Sequence, residues 1–340
     1  MQLAGYLFVI LKNDMNKNLP NEAEMSEEHI TFKRDVISGL KRDPKQLDSK
    51  YFYDEKGDRL FQSIMEMPEY YLTDCEMDIF KNKTEQLAES ISAANTPFDL
   101  IELGAGDASK SAHLLKFMAE EKIDFTYMPI DISGNILTVL NNNLKQKIPS
   151  LNIKVLHGDY FKMLDKAMNL SDKRKVVLFL GGNIGNMEMD DAYTFCTLLR
   201  QKLNKGDILI TGFDLKKNPH TILNAYNDAR GLTASFNLNL LARINRELKA
   251  DFNIANFQHY QSYDPLSGAC KSYLISLIKQ TVDIGEEKFH FKQNEAIYME
   301  ISQKYKQEDI DKLSSQTGFS ILSQIADANN WFVDSIWQAV

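Results

Sequence analysis

The stretch FDLIELGAGDASK, residues 98–110, constrains the fold more than any other part of the chain. An apolar run ends at Glu102, passes through Gly104 and Gly106, and opens into a segment that we expect to be helical from 109 to about 121. Glycine lets a ligand approach the backbone closely, and the N-terminus of a helix provides positive potential. The stretch therefore predicts a ligand-binding turn between a strand and a helix.

The spacing of these glycines narrows the class of ligand. A dinucleotide-binding turn reads Gly-x-Gly-x-x-Gly, and Ser109 stands where the third glycine would be. A cradle for pyrophosphate, and with it an NAD-dependent dehydrogenase, is therefore disfavoured. A Gly-x-Gly turn after an acidic strand end suits a nucleoside cofactor without a diphosphate, for which S-adenosylmethionine is the candidate. A plain tight turn is the alternative interpretation.

Composition excludes several other classes of protein. The 340 residues are 44% hydrophobic with a net charge of −8, which is typical of a globular chain of one large domain or two and disfavours a nucleic-acid partner. The three cysteines, Cys75, Cys196 and Cys270, are far apart and odd in number, so we expect no disulfide framework and a reducing, cytoplasmic location. The six histidines have no metal-ligand spacing, and no metal site is expected.

The N-terminus carries a short apolar run at residues 3–11. It is too short to span a bilayer and no basic residue precedes it, so we expect no membrane partner. We interpret residues 1–21 as a frayed or docked segment. A true start at Met15 or Met25 is the alternative.

Apolar runs alternate with helix-spaced segments over most of the chain. Helical spacing recurs at 135–147 and 190–203, and the tail predicts two antiparallel strands at 317–322 and 331–340. Further candidate strands are 98–103, 125–130, 153–156, 176–180 and 208–211. This alternation predicts an α/β fold with a doubly wound, mostly parallel sheet. The closing antiparallel pair fits the Rossmann-like methyltransferase architecture, although any α/β sheet can carry such a pair.

Two blocks interrupt the alternation, one before the sheet and one of about 85 residues after the fifth strand, far beyond an ordinary connection. The second block contains a predicted helix pair at 219–248. It also contains strand-like runs, at 257–263, 270–279 and 287–291. We therefore expect an inserted substrate-binding domain. The predicted division is a methyltransferase domain at 77–215 and 303–340 and a substrate-binding domain at 22–76 and 216–302.

Polar residues follow the predicted strands where a cofactor would lie. Asp131, after the second strand, can accept from both ribose hydroxyls, and Asp159, after the third, can accept from the adenine amino group while the N–H of Tyr160 reads a ring nitrogen. Either Asp alone is more often a helix cap. Because Asp131 and Asp159 follow successive strands, we expect both to line the same crevice. Lys110 stands in a first helical turn, where a cation is unfavourable unless it pairs with an anion such as the methionyl carboxylate.

The loop GGNIGN at 181–186 ends the fourth strand. Asn186 offers a donor and an acceptor, so it can hold the α-amino and carboxylate groups of an amino acid. A glycine-rich turn with a left-handed Asn is the structural alternative.

These motifs together resemble the ergothioneine-pathway histidine Nα-methyltransferases. The most specific are the block FYD…PEYYLT, within 52–73, and the loop GGNIGN. The matching stretches are 51–61, 68–73, 102–106, 129–131, 158–160, 181–186, 225–228, 231–237 and 300–302. They run in the order of the family from about residue 50 to 305.

The resemblance implies a small amino-acid substrate, a monomer, and a substrate pocket shared between the sheet and the inserted domain. Asn186 and Tyr226 would hold the carboxylate and amine, and Glu300 and Ser302 would read the imidazole. The implied pocket walls and lining are Tyr53, Phe61, Tyr70, Gly181, Asn183 and Ser272. The implied cofactor contacts are Tyr53, Gly104, Gly106, Lys110, Asp131, Asp159 and Tyr160.

The side chains of Glu300 and Ser302 are suited to binding an imidazole. Positions 300 and 302 of one strand point to the same face, and a neutral imidazole has one donor and one acceptor nitrogen. Two solvated side chains on a strand face are the alternative. The chain departs from its relatives at Ser272, where they usually have Met, and at Asn183, where they often have Thr or Ser. N-methylation of tryptophan, tyrosine or a modified histidine therefore stays open, as does a catalytically inactive cofactor-binding sensor or scaffold.

Overall fold

The computed structural model describes residues 27–340. Our expectations for residues 1–21, for the apolar run at 3–11 and for the alternative starts at Met15 and Met25 lie outside the described residues.

Helices and strands follow one another along most of this part of the chain. The helices are α1 (Glu27–Leu40), α2 (Glu55–Met65), α3 (Tyr71–Asn82), α4 (Thr84–Ser92), α5 (Ser111–Glu120), α6 (Gly134–Lys147), α7 (Tyr160–Met168), α8 (Met189–Lys202), α9 (Pro219–Tyr226), α10 (Leu232–Leu248) and α11 (Gln307–Gln316). The strands are β1 (Lys45–Gln46), β2 (Phe98–Leu103), β3 (Phe125–Asp131), β4 (Leu156–His157), β5 (Arg174–Phe179), β6 (Ile208–Asp214), β7 (Phe257–Tyr263), β8 (Ala269–Ser276), β9 (Gln280–Ile284), β10 (Glu287–Phe291), β11 (Ala296–Gln303), β12 (Phe319–Ala326) and β13 (Phe332–Ala339).

Contacts along the chain divide the described residues into two compact units. The first unit comprises Leu72–Lys216 and Lys304–Val340, and the second comprises the described residues up to Tyr71 together with Lys217–Gln303.

The first unit is built on a seven-stranded sheet in the order β12-β13-β6-β5-β2-β3-β4. Strands β4, β3, β2, β5 and β6 are parallel, and β13 runs antiparallel to both of its neighbours. Every residue of β2, β3 and β6 is buried, as expected for parallel strands covered on both faces. The predicted α/β fold, with an antiparallel pair closing one edge, is confirmed.

The order of the strands places the ligand-binding edge of this sheet. The chain passes outward from β2 through β3 to β4 and then returns to β5 on the other side of β2. In open α/β sheets, ligands bind outside the carboxyl ends of the strands where the order reverses in this way. The turns that follow β2, β3, β4 and β5 all lie at that edge.

Several predicted boundaries in the first unit differ from the structure: the strands predicted at 208–211 and 317–322 are β6 (Ile208–Asp214) and β12 (Phe319–Ala326). The predicted strand at 153–156 is reduced to a single parallel bridge between Ile153 and Tyr127, followed by the two-residue β4, because the pairing breaks at the exposed Val155. The helix expected from 109 begins at Ser111, because Ala108 has a positive φ of 56° and the backbone of the preceding turn is not yet helical.

The second unit holds a four-stranded sheet in the order β1-β11-β8-β7 and the hairpin β9-β10. Helix α10 packs on α2 and on β7. The predicted strands at 257–263 and 287–291 match β7 and β10, but the run predicted at 270–279 is split into β8 and β9. The split follows from a turn in which the Ser276 hydroxyl donates to Ile278 O and accepts from the Gln280 amide.

Candidate active site

The turn after β2 is held open by its glycines. Gly104 and Gly106 have φ values of 72° and 54°, in the region that favours glycine. A Cβ at Gly104 would lie 2.5 Å from the Tyr160 hydroxyl oxygen, whereas among the described residues a Cβ at Gly106 would meet nothing within 4 Å. Tyr160 therefore closes one side of the turn, and the backbone at Gly106 is the open approach for a ligand.

Asp131, the last residue of β3, is bonded directly to this turn. Its Oδ2 accepts from Gly106 N at 3.1 Å and its Oδ1 accepts from Ser133 N at 2.9 Å. Burial raises the pKa of Asp131, and the two N–H donors oppose that shift. A carboxylate has about four acceptor sites, so the two backbone bonds fix its position and leave acceptor capacity for ribose hydroxyls.

Asp159 caps α7, because its Oδ1 accepts from Lys162 N at 3.1 Å. The helix-cap interpretation of this residue is therefore correct. Binding of the adenine amino group by Asp159 stays a prediction that would need its other oxygen.

Lys110 has a partner that the sequence analysis missed. Glu76 of α3 is fully buried, forms an ion pair with Lys110, and accepts Gly181 N at 2.7 Å and 2.9 Å with its two oxygens. Burial opposes the charge of Lys110, but Glu76 outweighs it and the pKa of Lys110 is raised. Glu76 thus joins the residue before α5 to the loop after β5. A methionyl carboxylate would have to share Lys110 with Glu76.

The surroundings of Glu76 are tightly fitted. A Cβ at Gly212 would lie 2.6 Å from Glu76 Oε1, so only glycine fits at that point of β6. Burial, followed by the negative charge of Glu76, raises the pKa of the neighbouring Asp334 well above its usual range. A second buried carboxyl group, Asp334, thus lies beside the pair formed by Glu76 and Lys110.

The loop after β5 presents two buried amides. Asn183 and Asn186 form the ends of a 3-10 turn and are 5% and 9% exposed. Among the described residues, Asn183 Oδ1 and Asn186 Nδ2 have no hydrogen-bond partner. Asn183 Nδ2 lies 3.5 Å from a Cβ placed at Gly181 and 3.8 Å from one placed at Gly104. Buried amide atoms of this kind are rare unless a ligand satisfies them, so this turn fits a polar ligand beside the glycines.

In the second unit, aromatic rings form a continuous chain. Tyr53 packs edge-on against Phe61 and Phe236, with centroids 5.7 Å and 5.5 Å away. Phe61 contacts Tyr70 at 6.4 Å, and Tyr70 contacts Tyr226 at 5.9 Å. The three predicted wall residues are therefore brought together. Phe236 was missed as a wall residue, although its place in an apolar stripe of α10 could have indicated it.

A polar row crosses the sheet of this unit. The register pairs Ser272 with Gln261 on one side and with Glu300 on the other. A bulge between Tyr298 and Glu300 shifts the register of β11 against β8, and such irregularities often re-aim a side chain at a functional site. Glu300 Oε1 lies 3.2 Å from Ser272 Oγ and 3.2 Å from the donor Asn237 Nδ2. Gln261 and Asn237 were missed because they come from distant segments.

Ser302, two residues further along β11, is bonded to α9. Its Oγ lies 2.7 Å from the Tyr226 hydroxyl, and either atom can donate. The expectation that positions 300 and 302 share a face agrees with these contacts, since both reach helices packed on the same side of the sheet. Tyr226 is thereby fixed beside the residue predicted to read the imidazole.

Within residues 27–340, no group of three or more potential ligands could hold a metal ion. None of the helices in that part is long and apolar enough to cross a membrane.

Comparison with known proteins identifies the family. A family model described as "Histidine-specific methyltransferase, SAM-dependent" matches residues 32–339. The chain is 33% identical over 298 residues to a histidine N-alpha-methyltransferase of Mycolicibacterium smegmatis, covering 87% of this chain and 91% of that one. It is 31% identical over 294 residues to the corresponding Mycobacterium tuberculosis enzyme, covering 86% and 90%.

A solved structure, the magnesium protoporphyrin IX methyltransferase of Synechocystis with bound SAH, matches with a TM-score of 0.42 and 12% identity, over 86% of this chain and 98% of that one.

The fold and the turn after β2 define a methyltransferase that uses S-adenosylmethionine. The protein belongs to the family of SAM-dependent, histidine-specific methyltransferases, and the resemblance found in the sequence is confirmed.

Proposed function

We propose that the protein transfers methyl groups from S-adenosylmethionine to the α-amino nitrogen of free L-histidine, giving the trimethylated amino acid. The observation that carries this proposal is the pair Glu300 and Ser302 on one face of β11, with Glu300 held by Ser272 and Asn237. The names of the bacterial relatives support the same substrate.

The imidazole is bound in the second unit. Its N–H donates to Glu300, and the hydroxyl of Ser302 donates to its other nitrogen. Tyr226 allows Ser302 to donate to the imidazole. When the Tyr226 hydroxyl donates to Ser302 Oγ, the proton of Ser302 is directed away from Tyr226. The hydroxyl oxygen of Tyr226 then accepts from the amine of the substrate.

The cofactor is bound in the first unit. Gly104 and Gly106 provide the open backbone, and Asp131 accepts from the ribose hydroxyls while it stays anchored to Gly106 N. The unsatisfied amide atoms of Asn183 and Asn186 bind polar ligand groups at the loop after β5. When bound, S-adenosylmethionine supplies an electrophilic methyl carbon on a sulfonium sulfur.

Attack by nitrogen needs a neutral amine with its lone pair aimed at that carbon, so most of the rate comes from positioning. No strong base is required, because water can take the proton before attack. The aromatic chain of Tyr53, Phe61, Phe236 and Tyr70 favours methylated ammonium groups through cation–π attraction of about 1–2 kcal/mol. This attraction supports repeated methylation at one nitrogen. We propose that the enzyme acts as a monomer in the cytoplasm.

A panel of free amino acids incubated with methyl-labelled S-adenosylmethionine tests the proposal. We expect label on histidine and only background on tryptophan, tyrosine and aliphatic amino acids, with mass spectrometry placing three methyl groups on the α-nitrogen. Labelling of a different amino acid with none on histidine would contradict the substrate. Cofactor binding without labelling of any amino acid would support the inactive sensor instead.

A further inference from the structure

In the polar row formed by Gln261, Ser272 and Glu300, two acceptors face the single hydroxyl proton of Ser272. Ser272 Oγ lies 2.6 Å from Gln261 Oε1 and 3.2 Å from Glu300 Oε1. Ser272 is 1% exposed, so its hydroxyl does not face bulk water. A hydroxyl has a single proton and can satisfy only one of the two acceptors. If Ser272 donates to Gln261, its oxygen lone pairs face the carboxylate of Glu300, which is repulsive.

Turning the amide of Gln261 removes the conflict. The two ends of an amide occupy nearly the same space, and the choice between them follows from the hydrogen-bond network. With its NH2 group toward Ser272, Gln261 donates to Oγ and Ser272 donates to Glu300. The other end of the amide lies 3.0 Å from Cys270 Sγ, where a thiol can donate as well as accept. Every bond in the row then runs toward Glu300.

We propose that Gln261 is a positioning residue that acts through Ser272 to fix Glu300 as a hydrogen-bond acceptor, and thereby makes the pocket select a side chain with an N–H donor. The inference rests on the proposed function and goes beyond it, since it names residues behind the one that reads the imidazole. Asn237 Nδ2 supplies the second fixed donor to the same oxygen of Glu300.

This relay of hydrogen bonds, from Gln261 through Ser272 to Glu300, explains how an enzyme with serine at position 272 can still bind histidine as its substrate. The two donors on Oε1, from Ser272 and Asn237, hold the carboxylate of Glu300 in one orientation. A substrate ring without an N–H cannot donate to this carboxylate, and sites built to hydrogen-bond a substrate group reject analogues that lack it. Gln261 therefore contributes to specificity without touching the substrate.

Two substitutions of Gln261 test the relay. Gln261→Met keeps the volume and removes the donor, so the KM for histidine should rise about 5- to 30-fold while kcat and the affinity for S-adenosylhomocysteine stay within about twofold. Gln261→Glu is isosteric, but its ionised form cannot donate to Ser272. The matched control is Gln258→Met, which alters an exposed residue on the opposite face of β7 and should leave the kinetics unchanged.

The pH dependence separates a relay from a packing role. A protonated Glu at position 261 can donate to Ser272 again, so the ratio of the KM values of Gln261→Glu and Gln261→Met should fall as the pH is lowered. Titration of the substrate cancels in that ratio. A histidine KM that is unchanged in both variants, or a ratio that does not vary with pH, would overturn the inference. Joint loss of histidine turnover and cofactor binding in both variants would also overturn it, since Gln261 would then hold the fold. Failure of the wild-type enzyme to methylate histidine would instead overturn the proposed function.

Discussion

Glu76 and Lys110 form an ion pair in which Glu76 is completely buried, and Glu76 also accepts the N–H of Gly181 with both of its oxygens. One carboxylate from α3 therefore joins the residue before α5 to the loop after β5. Removing one member of a buried ion pair leaves the other charge uncompensated, which is costly.

We therefore expect Glu76→Gln to lower the free energy of unfolding by about 2–3 kcal/mol in a urea titration. The amide can still accept from Gly181, and the loss stays moderate because the Lys110 side chain is 23% exposed to water. Glu89→Gln on the exposed face of α4 is the matched control and should change stability by less than about 0.5 kcal/mol. Equal midpoints for the two variants would show that the pair is energetically neutral.

The cofactor assignment predicts that Asp131→Ala weakens binding of S-adenosylhomocysteine by about 10- to 100-fold in calorimetry. The variant removes a charged acceptor worth about 1.5–3 kcal/mol and also the anchor of Gly106 N. Asp124→Ala, at an exposed position just before β3, is the control and should bind normally. Unchanged affinity in Asp131→Ala would remove this carboxylate from the cofactor site.

The buried Glu102 gives stability a dependence on pH. Burial raises the pKa of Glu102 to about 7, although the Tyr127 hydroxyl, 2.5 Å from Oε2, opposes the shift. Between about pH 4.5 and 7 the folded state therefore binds more protons than the unfolded state, so stability falls as the pH rises through this window. Full ionisation costs on the order of 3 kcal/mol.

We expect Glu102→Gln to lose less stability than the wild type between pH 5 and 7.5, as measured by urea unfolding at a series of pH values. The amide oxygen still accepts from Tyr127. The exposed variant Glu121→Gln should follow the wild-type curve. Parallel curves for Glu102→Gln and the wild type would show that the carboxyl group titrates normally in the fold.

The contact between Tyr226 and Ser302 predicts a loss of turnover in Tyr226→Phe. The phenyl ring keeps its packing on Tyr70 but cannot donate to Ser302 or accept from an amine. We expect kcat/KM for histidine to fall about tenfold or more while S-adenosylhomocysteine still binds, since one hydrogen bond contributes about 1 kcal/mol and positioning adds to it. The control is Tyr260→Phe, a residue 56% exposed on the outer face of β7. Wild-type kinetics in Tyr226→Phe would exclude Tyr226 from the site.

Residues that follow a pattern within one segment could be predicted from the sequence. The strand β2 was predicted to the residue because its apolar run is continuous, and Glu300 and Ser302 were placed on one face by the two-residue period of a strand. The register shift at Tyr298 could not be predicted, because a bulge depends on the pairing partner. The register shift did not change the prediction that Glu300 and Ser302 share a face, since it precedes both residues.

Residues that act across segments were missed. Gln261 and Asn237 lie 39 and 63 positions before Glu300. Asn237 ends the matching stretch 231–237, but nothing in the sequence links either residue to Glu300. Glu76 did carry a signal: it stands four residues after Leu72 and four before Phe80, on the apolar stripe of α3. A charged residue on such a stripe indicates a buried ion pair, and Lys110 in a first helical turn was the matching cation.

Glu300 provides the most direct test of histidine recognition. Glu300→Ala removes a charge-assisted hydrogen bond worth roughly 1.5–3 kcal/mol, so the KM for histidine should rise about ten- to a hundredfold in a steady-state assay with saturating S-adenosylmethionine. The affinity for S-adenosylhomocysteine should stay unchanged, and the enlarged, less polar pocket should accept tryptophan and tyrosine better than the wild type does. Glu286→Ala, an exposed carboxylate in the turn between β9 and β10, is the control. An unchanged KM for histidine in Glu300→Ala, with the same amino-acid preference as the wild type, would contradict the account.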